Sequence, residues 1–145
     1  MLVGHKPFGD SPLVIRGEGI EVIDADTSYS DTTAADNRGV ATPVVTVVKE
    51  AGRQSQARVS GTLSTGEAVD VTLAPPSCAV EDGEQGGDPW VGRLTDDHWW
   101  VKALIADGPD AGRYLLSRGR GYEVDYRRLT VDELQKLSFA GQAAD

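Results

Sequence analysis

The 145-residue chain sets 14 basic side chains against 23 acidic ones, a net charge of −9, with 39% hydrophobic residues and one cysteine. That balance argues against a nucleic-acid or anionic-membrane partner. It excludes an internal disulfide or a CxxC metal or redox pair, and it suits one domain with a modest core.

The acidity is lopsided. Residues 1–88 hold six basic and fourteen acidic groups, whereas 89–145 hold eight and nine. The opening MLVGHKPFGDSP breaks at once into Gly, Pro and Asp, so it does not read as a signal peptide. The expected compartment is the cytoplasm or a virion. No apolar run approaches a membrane span.

Residues 1–12 read as a polar arm without periodicity. PLVI (12–15) and IEVI (20–23) are short β-prone pieces flanking RGEG, suited to a small hairpin. Residues 24–42 are acidic, rich in Ser and Thr, and loop-like, which is long for a compact domain. PVVTVVKE (43–50) is apolar on both faces and predicts a well-buried strand. QARVSGTL (56–63) and EAVDVTL (67–73) alternate apolar and polar residues around STG. They form the clearest hairpin, with positive φ expected at Gly66.

Residues 74–88 are a second polar loop. WVGRL (90–94), HWWVKALI (98–105), GRYLLSRG (112–119) and YEVDYRR (122–128) follow as four strands with short connections, hence an antiparallel meander. Thr130 and Glu133 match a capping box. The stripe Val131, Leu134, Leu137 extends the helix toward a stop at Gly141.

The expected class is therefore mainly β, all-β or α+β. It is an antiparallel small barrel or sandwich with one C-terminal helix and an extended N-terminal arm. Residues 1–42 supply the arm and acidic loop and 43–145 the β domain, within a single domain overall.

Asp96-Asp97-His98-Trp99-Trp100 is the most reactive-looking stretch. Neighbouring strand residues point to opposite faces, so these groups do not converge as an acid–base pair must. Trp99 is expected in the core on one face with Val101, Ala103 and Ile105. Trp100 shares the other face with Lys102 and Leu104, half-covered by the helix or exposed for a partner.

No cofactor or metal is expected. His5 and His98 lie far apart. Asp24, Asp26 and Asp31 echo a calcium loop but lack its central Gly and closing Glu. Cys78 has no base near it in sequence and reads as inert. Neither a P-loop nor a nucleophile-elbow motif is present.

The one basic segment interleaves arginine with tyrosine, the residues that anchor protein interfaces. Trp100, Arg113, Arg118, Arg120, Tyr122, Tyr126, Arg127 and Arg128 are the candidate interface, unless the arginines pair with acids of their own chain. The expected function is non-enzymatic: a structural or assembly protein, a β-rich subunit of a larger homo- or hetero-oligomeric complex. Head, neck or tail components of phage and viral particles share that architecture, an analogy of form alone. The alternative is an acidic inhibitor or immunity-type protein seated on a basic protein partner. A small hydrolase using Asp96 and His98 is a further one.

Overall fold

The computed structural model describes residues 1–4, 8–17, 20–27, 41–49, 56–73, 87–121 and 123–140. Nine strands and one helical turn follow one another: β1 (Leu2–Val3), β2 (Leu13–Gly17), β3 (Ile20–Asp24), β4 (Thr42–Val48), β5 (Gln56–Thr62), β6 (Ala68–Thr72), β7 (Trp100–Leu104), β8 (Tyr114–Arg120), β9 (Glu123–Leu129) and α1 (Val131–Leu134). The protein is mainly β. The strands form three three-stranded sheets, ordered β1-β3-β2, β4-β5-β6 and β7-β8-β9.

The local signals explain the hairpins. β2 and β3 pair antiparallel from Leu13↔Asp24 to Gly17↔Ile20, as the two apolar pieces predict. β5 and β6 pair around Ser64–Gly66, and Gly66 takes φ +85° in open space. Alternation sends Ala57, Val59, Val69 and Val71 inward. β8 and β9 pair in full register from Tyr114↔Leu129 to Arg120↔Glu123. The second and third sheets meet where Val69 bridges Ile105 and the Ala106 N–H donates to the Ala68 carbonyl at 2.8 Å.

Four expectations change. The first twelve residues do not form a free arm over their described part. Leu2–Val3 pairs with β3, in parallel rather than antiparallel fashion. Asp10, Ser11 and Pro12 are buried. A polar segment tolerates this burial because its groups find partners. The Asp10 N–H donates to the Tyr126 hydroxyl at 2.7 Å, and the Asp10 carboxylate accepts from the Ser64 backbone N–H at 3.0 Å and the Ser64 hydroxyl at 2.5 Å.

WVGRL is a turn, not a strand. The Asp88 carboxylate accepts from the backbone N–H groups of Trp90 and Val91, both at 2.8 Å, and this caps the turn. Gly92 then takes φ +91°, tight against the Arg16 side chain. The segment rejoins β7 only at its end: the Gly92 N–H donates to the Val101 carbonyl and the Val101 N–H to the Arg93 carbonyl, each at 2.9 Å, and Leu94 bridges Trp100.

The capping box at Thr130 and Glu133 forms, but the helix lasts four residues. Leu134 is fully buried and Leu137 partly, while Val131 stays exposed. The chain leaves the helix because Phe139 is needed elsewhere: it bridges Thr95 and packs beside Trp90, ring centroids 5.7 Å apart. The stop expected at Gly141 lies outside the described residues.

The fourth change is a bulge in β7. Val101 faces Leu116, but Ala103 faces Leu115, so Lys102 is an extra residue and the inward parity flips across it. Trp99 and Val101 join the main core with Val14, Ile23, Val59, Val71, Leu116 and Leu134. Ala103 and Ile105 join a second cluster with Leu63, Val69 and Leu115. The single face expected for 99, 101, 103 and 105 is thus divided between two cores. Burial of each such Val, Leu or Ile side chain contributes about 1.5–3 kcal/mol, which is why both sides of this sheet are covered.

Candidate functional site

The arginines of the expected interface are held by acids of their own chain. Arg118 and Arg120 both reach Asp125, at 3.4 and 3.6 Å. Arg127 lies 3.8 Å from Asp97, and Arg113 lies 3.5 Å from Asp110. Arg128 meets Glu67 and Asp110, each at 3.0 Å. Burial works to raise the Glu67 carboxyl, but hydrogen bonds from Thr65 and Arg128 hold it below the ordinary carboxylate range.

Two of these guanidiniums also form a lid. Arg118 and Arg127 stack on the Trp99 ring, 4.6 and 4.1 Å from its centroid, and Trp99 is only 3% exposed. Trp100 is half-buried on the other face, opposite Ser117. Tyr126 is half-buried and bonded to the Asp10 backbone. Tyr122 lies outside the described residues. The basic segment is therefore a braced surface whose charges are largely balanced within the fold, with Arg120 its most exposed member.

Asp96, Asp97 and His98 sit together on an exposed tight turn, and His98 is not in a strand. The His98 N–H donates to the Thr95 carbonyl at 2.9 Å, and His98 takes φ +68°. The Thr95 hydroxyl donates to Asp97 at 2.6 Å and accepts from the Trp99 N–H at 2.9 Å. The turn is thus built to deliver Trp99 into the core. Among the described residues no side chain hydrogen-bonds the imidazole. Nor do three His, Cys, Asp or Glu side chains gather there as a metal site would need. Asp24 accepts from the Asp26 N–H at 3.2 Å, an ordinary local turn, whereas Asp31, His5 and Cys78 lie outside the described residues.

Sequence reasoning missed Lys102. Parity placed it beside Trp100 and Leu104, yet the bulge turns it into a fully buried side chain. Its Nζ donates to the Phe8 carbonyl at 3.2 Å and lies 5.2 Å from the Phe8 ring centroid. Burial lowers the amine to about 7, and the carboxylates of Asp24 and Asp10 act in the opposite sense. A neutral amine near pH 7 is a nucleophile or base by chemistry. Here it is enclosed by the chain and fastens residues 8–10 across the third sheet. Only a lysine set among apolar neighbours in VKALI marked the position, and that pattern reads equally as an exposed strand residue.

The largest surprise is β4. Both of its faces are apolar, as the sequence predicts, but the strand is not well buried. Val44, Val47 and Val48 are 55%, 56% and 51% exposed. The reason is position in the sheet. β4 is an edge that pairs only with β5 among the described residues. Val45 packs on the main core, while Val47, on the same face, runs past its rim. Val44 and Val48 lie on the outer face beside Ser60, Arg58 and Gln56. Between Pro43, which has no backbone N–H, and Lys49, the five residues Val44–Val48 leave an apolar-rich edge that is a template for pairing with another strand.

No protein-family model, curated protein or solved structure matches this chain.

Proposed function

We propose that the protein is a non-enzymatic assembly subunit: a β-rich, sandwich-like domain that docks into a larger protein complex through the β4 edge. One observation carries the reading, the exposure of three valines on a strand edge that no other strand pairs among the described residues. Isolated exposed valines are ordinary. Three on one edge strand, blunted only at its two ends by Pro43 and the adjacent Lys49, are what folded proteins avoid unless a partner covers the edge. By form alone, such repeated strand-edge contacts suit the shells and tails of phage and viral particles.

The internal pairing of the arginines supports the same reading. It assigns the basic segment to bracing the third sheet, and β4 is the contact proposed in its place. Among the described residues, no groups converge at the exposed turn Asp96–His98 as hydrolysis requires.

The test is the mass of the purified chain in solution by sedimentation, from low to high micromolar. The reading expects a species above the 15.4 kDa monomer, or a stoichiometric protein partner that co-purifies and is released by Val47→Lys. A monomer at every concentration, with nothing bound, overturns it.

A further inference from the structure

The occupant of the β4 edge is written in its sequence. Residues 44–48 read Val-Val-Thr-Val-Val, a palindrome about Thr46. A two-fold contact must be self-complementary, each residue meeting its symmetry mate's counterpart. If two β4 strands run antiparallel with Thr46 on the axis, Val45 falls opposite Val47 and Val44 opposite Val48, so valine meets valine on both faces. β-branched cross-strand pairs are favourable in this position. A shift of one residue would set Thr46 against a valine, and the match would be lost.

Charge selects the same partner. The molecule carries −9, so a second copy is repelled over most of its surface. Thr42–Val48 is uncharged. On its outer flank Arg58 and Asp70 neutralise each other in a two-pronged ion pair. Lys49 would fall opposite Pro43 of the other strand, and the two Lys49 residues would stand about 20 Å apart at 3.4 Å per residue. The neutral edge is where an equally acidic copy can approach, whereas a basic partner would gain nothing there.

Resting on the assembly reading above, we infer that the partner at β4 is a second copy of this chain, paired antiparallel in the register that places Thr46 on the two-fold axis. The five residues that pair, Val44–Val48, span about 17 Å and cover on the order of 200 Å² per copy. A stable dimer of standard size buries about 800 Å² per partner. The pairing is therefore weak and concentration-dependent in solution, and gains strength when copies are held together in an array.

Single cysteines in a Cys78→Ser background read the register. Directly opposed residues in an antiparallel pair have Cα atoms about 4.5–5.5 Å apart, within disulfide reach. Thr46→Cys should form a disulfide dimer under mild oxidation at about 100 μM, a concentration chosen for a contact of this small area. Val44→Cys alone should not, because its mate lies about 13 Å away along the strand. A mixture of Val44→Cys with Val48→Cys should cross-link to each other. Thr46→Lys, which sets like charges face to face on the axis, should weaken association at least tenfold by sedimentation. Equal cross-linking of Val44→Cys alone and Thr46→Cys overturns the register. If none of the cysteines cross-links while a different protein co-purifies and is released by Val47→Lys, self-pairing is overturned and the assembly reading stands. A wild-type monomer throughout overturns both.

Discussion

Lys102 and Phe8 are joined across 94 positions of sequence: the buried Nζ donates to the Phe8 carbonyl at 3.2 Å and lies beneath the same residue's ring. The contact ties the N-terminal segment to the bulge of β7. It carries an energetic conflict, because an ionisable amine has been taken from water and, among the described residues, no carboxylate forms a salt bridge with it, although Asp24 and Asp10 act on it from farther away.

That conflict predicts a pH dependence with a definite sign. The Lys102 amine titrates near 7 in the fold and near 10.5 when unfolded. Between these values the unfolded chain binds the extra proton, so this group makes stability rise with pH, by up to about 1.4 kcal/mol per unit. Below 7 both states are protonated and its contribution is flat. Lys102→Met should be more stable than wild type at pH 6, by about 1–4 kcal/mol. At pH 10 the advantage should shrink or reverse, because the Phe8 carbonyl has lost its donor. Urea unfolding at pH 6, 8 and 10 measures both curves; parallel curves would show that Lys102 does not titrate in this window.

The N-terminal segment can be tested at a backbone position. Gly9 takes φ +80°, and a Cβ there would collide with the Tyr126 hydroxyl and crowd Val124. Gly9→Ala should cost about 2–4 kcal/mol, combining left-handed strain with the clash. Gly66 has a similar φ of +85° but open space around it. Gly66→Ala should cost only about 1–2 kcal/mol, the conformational part alone. Equal losses in thermal unfolding would mean that residues 8–11 do not pack on Tyr126.

Arg127 should report on the Trp99 lid. Its guanidinium lies 4.1 Å from the ring centroid, with Arg118 also stacked on the indole. Arg127→Ala should cost about 0.5–2 kcal/mol through lost cation–π attraction and stem packing. It should also shift tryptophan emission to the red. In a Trp99→Phe background the same substitution should leave the emission unchanged. A red shift that persists there would locate the change at another tryptophan.

Tyr126→Phe removes the acceptor of the buried Asp10 N–H and should cost about 1–3 kcal/mol. Burial also pushes this phenol up to about 12. The wild-type absorbance titration should therefore show one more late-ionising tyrosine than the variant. A variant that lacks one early-ionising tyrosine instead would place Tyr126 in water.

What the sequence made legible was local. The hairpin at Ser64–Gly66, the β2–β3 pair and the Thr130–Glu133 box each depend on neighbours within a few residues, and all three formed. The turn at Trp90 was missed because its cap, Asp88, is also claimed from afar: the Tyr114 hydroxyl donates to it at 2.6 Å and Arg16 donates to its backbone carbonyl. Lys102 was invisible because a bulge is set by pairing with β8, and period-two counting continues across it unchanged. The exposure of β4 was missed for a related reason. Apolar residues on both faces say that a strand should be covered, not by which molecule.

Amide hydrogen exchange over Thr42–Val48, followed against protein concentration, tests the central claim most directly. If copies meet at β4, the strand's outward N–H groups should exchange quickly in dilute protein and slow by tenfold or more as dimer forms, while β8 and β9 stay constant. Exchange in β4 that is equally fast at every concentration, in a chain already shown to associate, would contradict the account.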